Sequence, residues 1–254
     1  MPVEVRIIGL TTLPEIKTGD DLGELIVSCA AKEGVEIEDG DVVVVSSKVV
    51  SKAEGRVVNL SSVKPSPRAL RLAKACGKDP RLVEVIIRES REVLKVAPGK
   101  LIVVSRLGSV CANAGVDRSN VEGSEEVAVL LPLDPDASAR RIRERIRELT
   151  GRDVAVVITD TQGRPFRLGQ VDVAIGVAGL DPFRDYRGLR DLKGYVLKVK
   201  RIALADEVAA AADLVKGGGS EGVPVAIVKG LKYGKKEGAS ARELNRPKRS
   251  WLFR

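Results

Sequence analysis

The sequence of 254 residues contains no histidine. This absence excludes histidine-dependent catalytic triads, histidine general bases and histidine-rich zinc sites. Any proton transfer or metal binding must therefore use carboxylates, lysines, hydroxyl groups or the backbone. A metal bound by such oxygen ligands is expected to be magnesium or manganese rather than zinc.

Aromatic residues are also scarce, at 3% of the chain. The 43 lysines and arginines exceed the 35 acidic residues and give a net charge of +8, which suits either nucleic acid or a polyanionic small substrate. Phe166, Phe183 and Tyr186 are not arrayed as a base-stacking surface. The composition therefore favours a phosphate-rich metabolite, and a basic nucleic-acid-binding protein is the alternative from another class.

Cysteines and long apolar runs are few. Cys29, Cys76 and Cys111 lack metal-ligand spacing and lie among apolar residues, so we expect reduced core thiols. No apolar run approaches the roughly 20 residues that cross a bilayer. The N-terminus leads directly into a strand pattern without the layout of a signal peptide. We therefore expect a cytoplasmic protein with no membrane partner.

The most informative stretch covers residues 153–167. It begins as a continuous run of β-branched residues, which predicts a strand buried on both faces. The run is followed by Asp160, Thr161, a glycine turn, Arg164 and Arg167. Opposite charges at the end of a buried strand indicate a site for a metal ion and a phosphorylated or acidic ligand. A solvated turn is equally compatible with this loop alone.

Two further segments carry similar chemistry. Residues 46–56 place hydroxyls and lysines, among them Ser47, Lys48 and Lys52, after another apolar strand, and such groups suit a triphosphate. Residues 108–122 form a long segment of small residues in which Asp117 and Asn120 offer oxygen ligands or base-edge hydrogen bonds. A lysine-rich surface loop is the alternative for the first segment.

The glycine run at 217–219, with Gly222, follows a predicted helix and precedes the strand 225–228. A Walker loop or a dinucleotide fingerprint has the opposite order. Phosphate binding here would therefore depend on a backbone nest, and a helix C-cap is the alternative.

Three other segments give structural expectations. Periodicity predicts a helix over 79–94 and a strand over 195–202. The basic tail 239–254 carries Trp251, Leu252 and Phe253 near its end, and we expect these apolar residues to dock on the protein.

Together the ordered motifs resemble the coenzyme F-420-0:L-glutamate ligase family over nearly the whole chain. The likeness is carried by residues 13–14, 19–22, 50–56, 113–121, 133–136, 158–164, 205–207 and 241–247. The resemblance implies an α+β chain with two entwined sub-domains, whose mixed and antiparallel sheets are flanked by helices. It also implies a single unit over 1–254 and a homodimer, whereas sequence pattern alone supports only mixed α and β.

The resemblance further implies a GTP-dependent ligase that joins L-glutamate, through its α-amine, to a carboxylate of F-420-0. The implied cofactors are two divalent ions, Mg²⁺ or Mn²⁺, with GTP as co-substrate and K⁺ as an accessory ion. A carboxylate is a poor acyl donor, so we expect an acyl-phosphate intermediate. A related nucleotide-dependent ligase or phosphotransferase acting on another acid is the nearer alternative.

Matching positions imply the following site residues. Asp117 and Asp160 would bind one divalent ion, and Thr161 a second. The family pattern has an acidic or amide side chain where this chain has Gly218, so Glu221, water or a substrate phosphate would replace it. Lys52, Arg164 and Arg167 would neutralise charge during catalysis. GTP contacts would come from Thr11, Thr12, Leu13, Pro14, Ser47, Lys48, Lys52, Asn120, Lys216, Gly217, Gly218, Gly219, Ser220, Glu221, Gly222 and Val223.

Overall fold

The computed structural model describes residues 3–118 and 126–253. Its helices are α1 (Leu22–Lys32), α2 (Ser47–Ala53), α3 (Pro67–Cys76), α4 (Pro80–Arg88), α5 (Pro135–Thr150) and α6 (Leu204–Lys216). Its strands are β1 (Arg6–Leu10), β2 (Val42–Ser46), β3 (Val57–Asn59), β4 (Ser90–Ala97), β5 (Lys100–Ser105), β6 (Val110–Ala112), β7 (Val127–Val129), β8 (Ala155–Arg164), β9 (Arg167–Ala178), β10 (Arg184–Asp185), β11 (Arg201–Ile202) and β12 (Val225–Lys229). The predicted α+β class is confirmed.

A mixed five-stranded sheet with the order β1-β12-β2-β8-β9 forms the centre of the molecule. β2 and β8 are parallel, and the other neighbours are antiparallel. The apolar parts of β2 and β8 are fully buried, as their continuous β-branched runs predict.

Helices cover both faces of this sheet. Because side chains alternate along a strand, Val43 and Ile158 pack with α1 and α5 on one face. Val44 and Val157 pack with α6 on the other face.

A second core lies in the chain between β2 and α5. It is built by α3, α4, the three-stranded sheet β4-β5-β6 and the pair β3-β7. Leu60, Val83, Ile86, Leu101 and Val103 are buried at its centre.

The predicted helix over 79–94 is wrong in its second half. The helix ends at Arg88, and β4 begins at Ser90. Val93 and Val96 instead pair with Val103 and Leu101 of β5. A β-branched segment gains more by pairing with a neighbouring strand than by extending a helix, and this pairing is not visible in local periodicity.

Two other expectations are met only in part, and apolar residues of both segments stay exposed. The predicted strand 195–202 forms only at Arg201–Ile202, and Tyr195 and Val199 remain exposed. Leu252 and Phe253 are also exposed, although the Phe253 ring contacts the Phe166 ring at 4.9 Å between centroids.

The three cysteines lie in the described part of the chain and are buried thiols without a disulfide, as predicted. Among the described residues, no helix is long and apolar enough to span a bilayer.

Candidate active site

Four segments meet at one edge of the central sheet, by which we mean the side where β1 and β2 end and β12 begins. Leu10 at the end of β1 pairs with Val225 at the start of β12, and Val225 also pairs with Val45 near the end of β2. Ser46 in turn pairs with Thr159 of β8. The residues that follow β1 and β2, the middle of β8 and the glycine loop before β12 therefore lie at the same edge.

Because side chains alternate along a strand, Asp160 and its neighbour Thr161 point to opposite faces of the sheet. Thr159 and Thr161 point towards α6, and Asp160 points to the opposite face, where α2 lies. Two consecutive residues of one strand thus present oxygen ligands on two faces of the sheet edge.

The Asp160 carboxyl lies in a polar but poorly solvated environment. It accepts hydrogen bonds from Ser47 Oγ at 3.4 Å and Gln162 Nε2 at 3.1 Å. Desolvation raises the pKa of Asp160 to about 6, and the negative charges of Asp172 and Asp117 add to this shift. The residue keeps partial solvent exposure, so a cation can still reach it.

Asp117 lies within electrostatic range of Asp160 and forms an ion pair with Lys48, whose Nζ is 2.6 Å from Oδ2. Reciprocal backbone hydrogen bonds to Val129 hold Asp117 in place. The turn before it is held by Asn113, whose side-chain oxygen accepts a hydrogen bond from the Leu101 amide at 3.0 Å.

A buried network lies on the other side of the strand. The Asp172 carboxylate accepts hydrogen bonds from Thr159 Oγ1 and Thr161 Oγ1, each at 2.7 Å. Lys216 Nζ lies 2.6 Å from both Asp172 Oδ2 and Thr159 Oγ1. The Lys216 side chain is 1% exposed, so its ammonium group faces the protein interior, and the predicted contact of Lys216 with GTP stays a prediction.

The glycine loop begins directly after Lys216. Gly217 has φ +67°, a conformation that favours glycine. Glu221 Oε2 accepts a hydrogen bond from the Gly219 amide at 2.8 Å, and backbone hydrogen bonds lower the pKa of Glu221. The loop therefore curls around its own exposed carboxylate.

Sequence reasoning missed two acidic residues in this region, Asp172 and Asp213. Burial raises the pKa of Asp213, and the charges of Asp172 and Glu221 contribute, which places these groups near one another. The signal that could have identified Asp172 is a single aspartate among the apolar residues of β9. Asp213 lies in a helix, and its sequence carries no comparable signal.

The loop after β1 is held by a carboxylate. The Thr11 and Thr12 amides donate to Glu33 Oε1 at 2.8 and 2.7 Å. These hydrogen bonds outweigh desolvation and lower the pKa of Glu33. The predicted GTP contacts at Thr11 to Pro14 thus lie on a loop fixed to the C-terminal end of α1.

The three predicted catalytic side chains lie on two segments, α2 and the β8–β9 hairpin. Lys52 Nζ lies 3.7 Å from Glu15. Arg164 and Arg167 pair with each other at the tip of the β8–β9 hairpin. At about 3.3 Å per residue, Arg164 is roughly 13 Å along the strand from Asp160. Asn120 lies outside the described residues.

The residues present suit a hard divalent cation by donor chemistry. Asp117 and Asp160 supply carboxylate oxygens, and Thr161 supplies a hydroxyl. The like-charge contribution to the Asp160 pKa is the kind of repulsion that a cation relieves. Within 3–118 and 126–253, however, no three acidic or cysteine side chains are already grouped as a metal centre.

Carboxylates, hydroxyls and lysines that converge where several strands of an α+β fold end form a candidate active site of an enzyme. Residues 11–230 match the family model of F420-0:Gamma-glutamyl ligase. The chain belongs to this family, and it is therefore a ligase.

Curated relatives extend this likeness across the chain. It is 47% identical to the coenzyme F420:L-glutamate ligase of Methanothermobacter thermautotrophicus, over 98% of this chain and 99% of the relative. It is 51% identical to that of Methanopyrus kandleri, over 86% and 84% of the two chains. The enzyme of Archaeoglobus fulgidus is 48% identical, over 90% and 89%.

Proposed function

We propose that this protein uses GTP to join L-glutamate to F420-0 through an acyl phosphate. The observation that carries the proposal is the meeting of Asp117, Asp160, Ser47 and Lys48 at the sheet edge that the glycine loop also borders. The names of the relatives supply the two substrates, F420 and L-glutamate.

The reaction has two steps. A carboxylate oxygen of F420-0 attacks the γ-phosphorus of GTP, the bond to the bridging oxygen breaks, and GDP leaves. The α-amine of glutamate then attacks the acyl carbon, phosphate leaves with its electron pair, and the nitrogen loses a proton to form the amide. Positioning and charge neutralisation account for most of the catalysis of such steps.

The oxygen ligands described above would hold the metals. Asp117 and Asp160 would hold one Mg²⁺ or Mn²⁺, and Thr161 with Glu221 a second. When bound, these ions neutralise charge on the transferring phosphoryl group. Lys48 can move from Asp117 to a phosphate oxygen, because its side chain is 26% exposed and its present partner is 45% exposed.

The other proposed GTP contacts lie on segments around the same edge. They are the loop of Thr11 to Pro14, Ser47, Lys52, and the backbone of Gly217 to Val223. Asn120, the accessory K⁺ and the roles of Arg164 and Arg167 stay predictions.

We also propose that the protein works as a homodimer. Phe166 and Leu168 are 83% and 98% exposed at the β8–β9 hairpin, and β9 is the last strand of its sheet. A second copy could cover these side chains across a two-fold axis. Light scattering should give about twice 27.2 kDa, and Leu168→Asp should give a monomer. A monomeric wild type would disprove this part.

The activity is tested by measuring phosphate release and GDP formation. Both should require GTP, Mg²⁺ or Mn²⁺, L-glutamate and F420-0 together. Mass spectrometry should show the product heavier by one glutamyl residue. Release of phosphate with another acid in place of F420-0, and none with F420-0, would favour the alternative ligase and reject the proposed acceptor.

A further inference from the structure

The buried Asp172–Lys216 pair takes no direct part in the proposed chemistry. The two side chains are 4% and 1% exposed, so neither contacts a substrate. Burying two charges costs desolvation free energy, and an apolar pair of similar size would often stabilise a fold equally well. The arrangement of its hydrogen bonds points to another role.

The network fixes the orientation of the Thr161 hydroxyl. Asp172 lies directly opposite Thr161 in the antiparallel pair. Thr161 Oγ1 donates its one proton to Asp172 Oδ1, while Oδ2 receives Thr159 and Lys216. The lone pairs of the Thr161 oxygen therefore face away from Asp172, and Thr161 as a residue is exposed.

The same carboxylate anchors the glycine loop. Lys216 is the last residue of α6, and Gly217 begins the loop. The ion pair ties this junction to β9, and through Asp172 to Thr161 on β8. One buried group thus sets both the direction of a hydroxyl ligand and the starting point of the glycine loop.

We propose that Asp172 is a positioning residue, which orients Thr161 and the loop from Gly217 to Gly222 for binding of a divalent cation with a guanine nucleotide. This inference rests on the proposed function. Groups that orient metal ligands in this way typically change metal affinity or activity 10- to 100-fold when they are removed.

The experiment measures Mn²⁺ and GDP binding to the full chain by calorimetry, together with thermal unfolding in EDTA. Asp172→Asn should weaken Mn²⁺ binding at least about tenfold and lower the melting temperature, because Lys216 is left without its carboxylate. The double variant D172N/K216M removes that stranded charge. It should regain much of the lost stability and keep the weak Mn²⁺ binding.

Asp206→Ala is the control for a structural role. Asp206 accepts a hydrogen bond from the Ala174 amide of β9 at 2.9 Å, and alanine removes this acceptor, so the melting temperature should fall. Its Mn²⁺ affinity should stay within about twofold of the wild type, since Asp206 does not contact Thr161 or Lys216 in this network.

A double-mutant cycle with Thr161→Val tests the route of the effect. If Asp172 acts through Thr161, D172N/K216M should weaken Mn²⁺ binding less in the Thr161→Val protein than in the protein that keeps Thr161. Wild-type Mn²⁺ and GDP affinity in D172N/K216M would overturn the positioning role. A wild-type protein that binds neither Mn²⁺ nor GDP would instead overturn the proposed function.

Discussion

Two lysine–aspartate ion pairs lie near the candidate site. They have the same N–O distance but differ in how deeply their side chains are buried. Lys48–Asp117 and Lys216–Asp172 each have an N–O distance of 2.6 Å. The first pair has side chains that are 26% and 45% exposed, and those of the second are 1% and 4% exposed. Water competes for the first pair and is excluded from the second.

This difference separates an exchangeable contact from a fixed one. Ion pairs that keep contact with solvent contribute about 0–1 kcal/mol, so a phosphate of the proposed nucleotide or a cation could replace the contact between Lys48 and Asp117. Removing one partner of a buried pair costs about 3–5 kcal/mol. We infer that the exposed pair serves binding and the buried pair holds the binding groups in place.

Asp160 lies between the two pairs, and its replacement should have the largest effect. Asp160→Asn should lower ligation at least about 10³-fold, because a loss of about 4 kcal/mol of charge stabilisation corresponds to that factor. Coupled phosphate release measures the loss, and circular dichroism checks the fold. A folded variant with near-normal turnover would remove Asp160 from the proposed metal site.

Breaking the buried pair should mainly affect stability. Lys216→Met leaves the Asp172 charge without its ammonium partner and should cost about 3–5 kcal/mol, which lowers the melting temperature by roughly 10 °C. Differential scanning calorimetry in EDTA measures this shift. Lys48→Met is the matched comparison, and it should change the melting temperature by less than about 3 °C. Equal losses in both variants would show that burial does not distinguish the pairs.

Breaking the exposed pair should mainly affect binding. Lys48→Met should raise the KM for GTP about tenfold, since one charge-assisted contact to phosphate of about 1.5 kcal/mol is lost. Lys235→Met is the control, because Lys235 forms an exposed 2.6 Å pair with Asp153, which precedes β8 at the opposite edge of the sheet. A KM that rises equally in both variants would indicate a general effect of charge.

The smallest effect concerns pH. The pKa of Asp160 is about 6 in the folded protein and 3.8 in the reference state, so the folded state binds this proton more tightly. Its contribution to stability is present below about pH 4 and is lost as the pH rises through 6.

In EDTA, Asp160→Asn should therefore melt above the wild type at pH 8. The difference should shrink towards zero at pH 4. A constant difference over this range would show that the carboxyl does not titrate as described.

Features that depend on neighbouring residues in the sequence could be predicted, whereas features that depend on residues distant in the chain could not. The buried strands β2 and β8 follow from their own β-branched residues. The helix expected over 79–94 ended early because β5, which is distant from this local pattern, offered a pairing partner. Asp172 was missed since its importance depends on Thr161 and on Lys216, 44 residues away.

The sequence by itself determined the chemistry that this protein can use. Without histidine it must rely on carboxylates, hydroxyls and lysines, and its ordered motifs identify the ligase family. Only the tertiary structure decided which lysine is exposed at Asp117 and which is buried at Asp172. Lys48 lies in the first turn of α2 and Lys216 is the last residue of α6. Solvent exclusion sets the cost of breaking each pair, and it arises from packing between distant segments.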